Sequence, residues 1–303
     1  MEIVTLIKVI RYKLRYGFIV EWYNFWYMAL RKRQKVIPSV ASISETISEI
    51  VQHHASISRF GDGEMLLTNP HKSIGFQKGN GVLSKRLVEV LTSTDDGHLV
   101  CLSDVFVNLY RYNRKARRFW RTHFFLYGSY WDRYLVPEKQ YYNTFVTRPY
   151  MDFASKEKCS RWFDELREIW NNRDIVFVEG EKSRLGVGND LFDNVRSIKR
   201  ILCPISDAFD RYNDILSAAL NLEKDALLLI ALGPTATVLS YDLFKAGYQA
   251  IDIGHVDVEY EWWRMGAKRK VKLAYKYVNE AADGKSVIDG GNEYENQIIA
   301  KIL

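Results

Sequence analysis

The residues best suited to chemistry are two carboxylates, Asp62 and Glu64, at the end of the segment Ser58-Arg59-Phe60-Gly61-Asp62-Gly63-Glu64. Residues 56–60 are predicted to form a short strand, and the two glycines permit a turn directly after it. Strand ends are common ligand sites in α/β proteins, and oxygen ligands there suit Mg²⁺ or Mn²⁺ bound together with substrate phosphates. Asp-Gly is also ordinary turn chemistry, and Glu64 could instead cap the next helix. The segment alone leaves both interpretations open.

Composition and charge narrow the class of protein. With 303 residues, 47% of them hydrophobic, the chain can bury the core of one large domain or two small ones. Its cysteines, Cys101, Cys159 and Cys203, match neither a disulfide framework nor a metal knuckle, which indicates a reducing compartment such as the cytoplasm. Residues 1–35 hold eight Lys and Arg against two Glu, a charge of +6 that equals the net charge of the whole chain. The rest of the chain is therefore formally neutral. A neutral body argues against nucleic-acid binding, and the basic head indicates attraction to an anionic membrane surface.

The first 38 residues are predicted to form a basic, aromatic helical extension, followed after Pro38 by a domain spanning residues 39–303. Residues 16–30 are strongly apolar, but they fall short of the roughly 20 residues that span a bilayer. No small-residue cleavage site follows, so a secretory signal is not expected. The extension fits an interfacial amphipathic segment, or a helix packed on the body or on a second protomer of a homodimer. We therefore expect a cytoplasmic protein, either free or peripheral on the inner face of the membrane.

Strands alternate with helices between residues 140 and 254, which predicts βαβ units. The fold class is therefore α/β, with a mostly parallel sheet flanked by helices. Residues 226–232 are wholly apolar, as expected for a strand covered on both faces. Ser42-Ile43-Ser44-Glu45 has the form of a capping box and predicts a helix start.

Residues 104–135 are predicted to be helical and carry basic side chains interleaved with aromatic ones. This cluster is either a solvated face or a patch that meets an anionic acceptor. Its basic members are Arg111, Arg114, Lys115, Arg117, Arg118 and Arg121.

A second strand-end loop follows the predicted strand at residues 174–179. Because loops at the carboxyl ends of parallel strands line one crevice, this loop should meet the Asp62–Glu64 turn. Its glycines allow close backbone approach, and its Lys, Ser and Arg side chains can donate to phosphate oxygens. It has no Walker ending and lacks the third glycine of the dinucleotide fingerprint, so it could also be a flexible surface loop. Its candidate binding residues are Lys182, Ser183, Arg184, Gly186, Gly188, Asn189 and Asp190.

Two more loops add possible ligands to the same crevice. Gly233, Pro234 and Thr235 follow the apolar strand, and the free N–H groups of a helix start there would form an anion site. The predicted loop at residues 253–260 adds an imidazole, His255, and two carboxylates. His255 is either a ligand or base, or a structural histidine.

Four segments together resemble the GT-D-type glycosyltransferases: Arg59–Glu64, Gly186–Phe192, Leu232–Ala236 and Asp252–His255. That bacterial family is associated with building glycans on serine-rich adhesins and surface polysaccharides, and the resemblance covers roughly residues 40–265. It implies a Rossmann-like fold, a UDP-sugar donor and a divalent cation, Mn²⁺ or Mg²⁺, at an Asp-x-Glu motif. By this match Asp62 and Glu64 hold the metal and diphosphate, and His255 is a further metal ligand.

On this interpretation the chain moves a hexose from a UDP-sugar to a glycan, glycoprotein or lipid-linked acceptor. The cation, Arg59 or the loop at residues 182–184, and the helix start at Thr235 would stabilise the departing diphosphate. An inverting reaction also needs a base, for which Asp257 and Glu259 are the candidates. Two other classes stay open: another nucleotide-binding α/β enzyme, such as a phosphotransferase, and a non-catalytic membrane-associated assembly subunit.

Overall fold

The computed structural model describes residues 17–30, 34–278, 280–281, 284 and 291–303. Most of the basic head (residues 1–16 and 31–33) lies outside these ranges. In the described part the strands are β1 Ser39–Val40, β2 Ser56–Phe60, β3 His98–Leu102, β4 Gln140–Asn143, β5 Asp174–Gly180, β6 Ser197–Cys203, β7 Leu227–Ala231, β8 Gln249–Asp252 and β9 Ile298–Lys301. The helices are α1 (residues 17–29), α2 Ile43–His53, α3 Asp62–Leu67, α4 Gly81–Thr92, α5 Arg114–Tyr134, α6 Cys159–Trp170, α7 Tyr212–Leu220, α8 Pro234–Lys245, α9 Val256–Arg264 and α10 Gly291–Asn296.

The strands form one sheet in the order β1-β4-β3-β2-β8-β7-β5-β6-β9, and every pair of neighbours among the described strands is parallel. The predicted α/β class with a parallel sheet is therefore confirmed. The chain runs outward from β2 through β3 to β4, and then resumes on the other side of β2. The carboxyl ends of β2, β8, β7 and β5 thus lie next to one another, which is where an open parallel sheet forms a crevice.

Alternating side chains bury both faces of the sheet. On β7, Leu227 and Leu229 belong to one core cluster, whereas Leu228 and Ile230 belong to the other. Period-two alternation of apolar residues on both faces requires a helical layer on each side. The strand predicted to be covered on both faces is confirmed.

Helix starts follow readable local signals. Ser42 accepts a hydrogen bond from the Glu45 N–H, and the Glu45 carboxylate accepts one from the Ser42 N–H, which confirms the predicted capping box. The prediction of helix throughout residues 104–135 is wrong for its first part, because α5 begins only at Arg114. The Asn113 side chain accepts from the Ala116 N–H at 3.0 Å and thereby fixes that start.

Helix α1 packs on α5. The Asn24 amide donates to the Thr122 hydroxyl at 2.9 Å, and the Tyr23 and Phe125 rings stack with centroids 5.3 Å apart. Of the two predicted roles for the extension, packing on the body is therefore observed for residues 17–29. In the described ranges of the chain, no helix is both long and apolar enough to cross a membrane.

Candidate active site

A cavity of about 740 Å³ lies at the carboxyl ends of β2, β5, β7 and β8. One loop from each of these strands reaches its wall: Gly61–Glu64 after β2, Ser183 after β5, Gly233 after β7 and His255 after β8. The structure therefore brings together the four loops that the sequence singled out, as parallel strand geometry requires.

Asp62 and Glu64 lie in the first turn of α3 and are half-buried in the cavity wall. One Glu64 oxygen, Oε2, accepts a hydrogen bond from the Gly61 N–H at 2.8 Å. Glu64 therefore both caps α3 and faces the cavity, so the two interpretations of this turn hold together. Burial raises the pKa of Asp62, and it raises the pKa of Glu64 to about 7.

The two carboxylates have the chemistry of a divalent-cation site. Within the described ranges, neither has a Lys, Arg or His partner within 4 Å, so the cost of burying their charge is not offset by an ion pair. One or two carboxylates that share the ion with substrate phosphates are a common Mg²⁺ or Mn²⁺ arrangement. These residues fit such an ion.

The structure does not add His255 to that ligand set. In the described part of the chain, no group of three His, Cys, Asp or Glu side chains is placed to hold a metal. The His255 Nδ1 lies 3.2 Å from the Arg148 guanidinium, and burial together with the Arg148 charge lowers the pKa of His255 to about 3. His255 lines the same cavity as Asp62 and Glu64, so its role as a third metal ligand stays a prediction.

Arg59 lines the cavity, but most of its donors are used within the protein. Its Nε and Nη2 donate to Asp252 at the end of β8, and its Nη1 donates to the Thr147 hydroxyl at 2.7 Å. The Gly254 backbone lies so close that a Cβ there would come 2.0 Å from the guanidinium. Arg59 therefore joins β2 to β8 below the cavity, and its first role is to hold the site together.

The loop after β5 meets the cavity through Gly180, Ser183 and Leu185. Lys182 and Arg184 are not among the residues that line it, so their role as phosphate donors stays a prediction. Gly186 and Gly188 adopt φ of +78° and +84°, and they pack against Phe192 and Tyr275 away from the cavity wall. Glycine is favoured at both positions because the turn has positive φ there.

The last two residues of that loop bind α9. The Asn189 amide donates to Asp257 at 2.7 Å, and Asp190 accepts from the Tyr260 hydroxyl at 3.0 Å. Neither residue lines the cavity, so the structure places both in a structural contact rather than in the predicted nucleotide site.

The helix start after β7 points at the cavity through its backbone. Gly233 lines the wall with φ +55°, a conformation that favours glycine, and a Cβ there would lie 2.6 Å from the Phe76 ring. Pro234 and Thr235 are buried behind it and do not line the wall. Pro234 has no N–H, and the Ala236 N–H donates to the Gly233 carbonyl at 2.9 Å, so the Thr235 N–H is the donor that this helix start can offer to an anion.

The predicted bases, Asp257 and Glu259, are fully buried and lie on α9. The prediction of a loop at residues 253–260 is therefore wrong for residues 256–260, which are helical. Asp257 forms an ion pair with buried Lys276. Glu259 accepts the N–H groups of Tyr150 and Met151 at 3.1 and 2.7 Å, and burial raises its pKa to about 7. Since neither side chain lines the cavity, the structure does not place them where an acceptor could be deprotonated.

Several cavity residues were missed because they do not follow a strand. Lys268, Arg269 and Lys270 form a basic wall just after α9, and Arg148 and Lys270 both pair with Glu280. The run Lys268-Arg269-Lys270 was visible in the sequence, but nothing in its local pattern placed it at the sheet edge.

The opposite wall comes from the first turns of α5 and from Asp152. Lys115, Phe119 and Trp120 line the cavity here. Asp152 also lines the cavity, and its backbone carbonyl accepts from the N–H of Asn113, the residue before α5, at 2.9 Å. Among the described cavity carboxylates, Glu280 is paired with Arg148 and Lys270, whereas Asp152 has no ion pair. This wall combines aromatic surface with one acidic group.

The fold and the cavity define an α/β protein with a ligand site at the carboxyl edge of a parallel sheet, in which acidic, basic and helix-start groups face one another. Residues 57–281 match the model of the family described as glycosyltransferase GT-D fold. The chain belongs to this family of glycosyltransferases.

Similar proteins agree with this assignment. Glycosyltransferase GlyD of Streptococcus pneumoniae serotype 4 is 41% identical over 88% of this chain and 33% of its own length. The probable glycosyl transferase Gly of Streptococcus gordonii is 41% identical over 87% of this chain and 39% of its length. The chain thus spans between a third and two fifths of these curated relatives.

Solved structures share the fold. A structure of domain of unknown function 1792, described as having a distinct glycosyltransferase fold, superposes with a TM-score of 0.84 at 44% identity. The superposition covers 88% of this chain and 96% of the solved chain. A glycosyltransferase of the same domain type from Streptococcus sanguinis gives 0.83 at 41% identity, covering 88% of this chain and all of that one.

Proposed function

We propose that this chain transfers a hexose from a UDP-sugar to a glycan, glycoprotein or lipid-linked acceptor in the synthesis of bacterial surface glycans. The observation that carries the proposal is the placing of Asp62 and Glu64, the Lys268–Lys270 wall and the start of α8 around one cavity. A nucleotide diphosphate needs such a set, because its charge is distributed over several oxygens.

Asp62 and Glu64 are the residues that would hold a divalent cation, Mn²⁺ or Mg²⁺. When bound, the ion would accept the negative charge that develops on the diphosphate as the sugar leaves. The chain's own residues act on the same charge. Lys268, Arg269 and Lys270 approach from one wall, and the Thr235 N–H at the start of α8 approaches behind Gly233.

Acceptor binding fits the wall formed by α5. The ring of Phe119, 45% exposed, offers an apolar face on which a sugar ring can pack, while Lys115 can donate to acceptor oxygens. Asp152 is the cavity carboxylate that is neither in the Asp62–Glu64 turn nor ion-paired, and it lies beside this wall. We assign to Asp152 the role of base toward the acceptor hydroxyl.

The test combines binding with turnover. UDP with Mn²⁺ should raise the melting temperature of the chain, and one UDP-sugar in a screen of UDP-glucose, UDP-galactose and their N-acetylated forms should release UDP. Asp62→Asn and Glu64→Gln should each lose the Mn²⁺-dependent part of both signals while the metal-free protein stays folded. Asp193→Asn and Glu157→Gln, at exposed carboxylates away from the cavity, are the matched controls.

Two results would overturn the proposal. Stabilisation by ATP that exceeds that by UDP would indicate a phosphotransferase. Wild-type turnover by Asp62→Asn or Glu64→Gln at limiting Mn²⁺ would remove the assigned cation site.

A further inference from the structure

Helix α1 leaves an apolar face uncovered. The side opposite its contact with α5 carries Phe18, Trp22 and Phe25, whose exposed fractions are 69%, 50% and 58%, and Met28, at the edge next to α5, is 53% exposed. The rings on this helix touch one another: Phe18 stacks on Trp22, with centroids 6.3 Å apart. A contiguous aromatic patch of this kind is unusual on a protein that meets only water.

A basic groove runs along the edge of that patch. A cavity of about 280 Å³ between α1 and α5 is lined by four arginines and one carboxylate. Its lining residues are Glu21, Asn24, Met28, Arg114, Arg117, Arg118 and Arg121. Glu21 is paired with Arg118 at 2.6 Å, whereas Arg114, Arg117 and Arg121 have no carboxylate within 4 Å among the described residues.

From these two features we infer that the α1–α5 surface binds an anionic membrane, with phospholipid phosphates in the arginine groove and the aromatic face of α1 in the headgroup region. Aromatic residues on one face and Arg on the flank are the composition of an interfacial helix. A second copy of this chain would bring one set of unpaired arginines against another, so charge complementarity favours a negatively charged occupant.

The same helix connects this surface to the cavity. On α5, Lys115, Ala116, Phe119 and Trp120 face the cavity, while Arg114, Arg117, Arg118 and Arg121 face the groove. A membrane bound at the groove would therefore lie beside the acceptor wall. This consequence depends on the proposed function and favours a lipid-linked acceptor, whereas membrane binding itself does not depend on the reaction.

The experiment is sedimentation of the full chain with vesicles of phosphatidylcholine alone or mixed with phosphatidylglycerol. We expect binding to the anionic vesicles that weakens as salt rises, together with a blue shift of tryptophan fluorescence. Arg117→Glu with Arg121→Glu, and separately Trp22→Ser with Phe25→Ser, should each lower the partition coefficient by roughly tenfold or more. Leu220→Ser and Arg161→Glu, at exposed positions on α7 and α6, are the matched controls and should bind like the wild type.

Each variant is also melted with and without UDP and Mn²⁺, which separates loss of membrane binding from loss of the fold or of donor binding. Three outcomes would overturn the inference: equal binding to neutral vesicles; dimerisation that Trp22→Ser abolishes, without vesicle binding; or stabilisation by inorganic phosphate that depends on Arg117 and Arg121, again without vesicle binding. Failure of sugar transfer with normal vesicle binding would count against the proposed function alone.

Discussion

The Arg59 guanidinium on β2 lies 2.6 Å from the Asp252 carboxylate on β8. This ion pair joins two neighbouring strands at the point where the chain's path crosses from one side of the sheet to the other. Both side chains are nearly buried, with exposed fractions of 12% and 2%. The pair lies directly beneath the candidate active site, so the strength of that contact decides how firmly the four loops are held together.

Removing one partner of this pair should strongly lower the free energy of unfolding. Arg59→Met or Asp252→Asn leaves a buried charge or its donors uncompensated, and we expect a loss of about 3–5 kcal/mol in the free energy of unfolding. Urea denaturation measures it. Arg196→Ala, which breaks the exposed pair with Asp174, should leave the urea denaturation curve almost unchanged and serves as the control. Similar small losses at both positions would contradict the assigned role of Arg59.

Gly254 should be irreplaceable for a steric reason that Gly247 does not share. Both adopt positive φ, +49° and +85°, so alanine at either site costs about 1–2 kcal/mol of backbone strain. A Cβ at Gly254 would also displace the Arg59 guanidinium, whereas a Cβ at Gly247 meets open space. Gly254→Ala should therefore lose several times more stability in urea than Gly247→Ala. Equal losses would show that Arg59 moves aside without cost.

Local signals were enough to predict the turn that carries Asp62 and Glu64. Gly61 and Gly63 marked the turn, and the strand before it was short, so both features were readable without tertiary contacts. The start of α5 was equally readable, because Asn113 is a typical N-cap residue, but the basic composition of the region concealed it.

Helix α9 could not be predicted in the same way. Val256, Val258 and Tyr260 alternate with acidic residues, which is a strand-like or loop-like pattern. The acidic residues are buried because their partners arrive from distant parts of the chain: Lys276 for Asp257, and the N–H groups of Tyr150 and Met151 for Glu259. Contacts with distant parts of the chain therefore stabilise both the helical conformation of α9 and the burial of its acidic side chains.

Asp257 is either a structural residue that pairs with Lys276 or the base that the sequence predicted, and stability measurements distinguish the two roles. Asp257→Ala leaves Lys276 charged and buried, and should lower the free energy of unfolding by about 3–5 kcal/mol. The double variant Asp257→Leu with Lys276→Met should recover much of that loss, because it removes both charges. A base would behave differently: Asp257→Ala would then stay stable and lose kcat alone.

Two buried histidines should make the fold sensitive to acid. His98 bonds the Ser58 hydroxyl at 2.9 Å, His123 accepts from the Trp131 N–H at 2.8 Å, and burial lowers the pKa of each to about 4. The unfolded chain takes up these protons near pH 6.5, whereas the folded chain does so only near 4. The stabilisation that these two neutral imidazoles provide should therefore be complete above pH 6.5 and fall as the pH drops toward 4, by up to about 3 kcal/mol for each histidine.

Unfolding free energies measured in urea between pH 7.5 and 4 check this. His98→Gln or His123→Gln should each flatten the pH dependence, whatever its effect on stability at neutral pH, and the exposed His71→Gln is the control. A difference in unfolding free energy between the wild type and either variant that stays constant from pH 7.5 to 4 would contradict the neutral state of that imidazole.

Asp152 should matter for turnover and not for donor binding. It lines the cavity beside the start of α5, where we propose that the acceptor binds. As the proposed base it removes the acceptor proton, so Asp152→Asn should lower kcat by roughly 10²–10⁴-fold, while the Kd for UDP with Mn²⁺ stays at the wild-type value. Calorimetry gives the Kd, and UDP release with a saturating acceptor gives kcat. Because the amide keeps the shape of the carboxylate, the melting temperature should not move. Asp193→Asn, at an exposed carboxylate outside the cavity, is the control, and a variant at Asp152 with wild-type kcat would exclude it as the base.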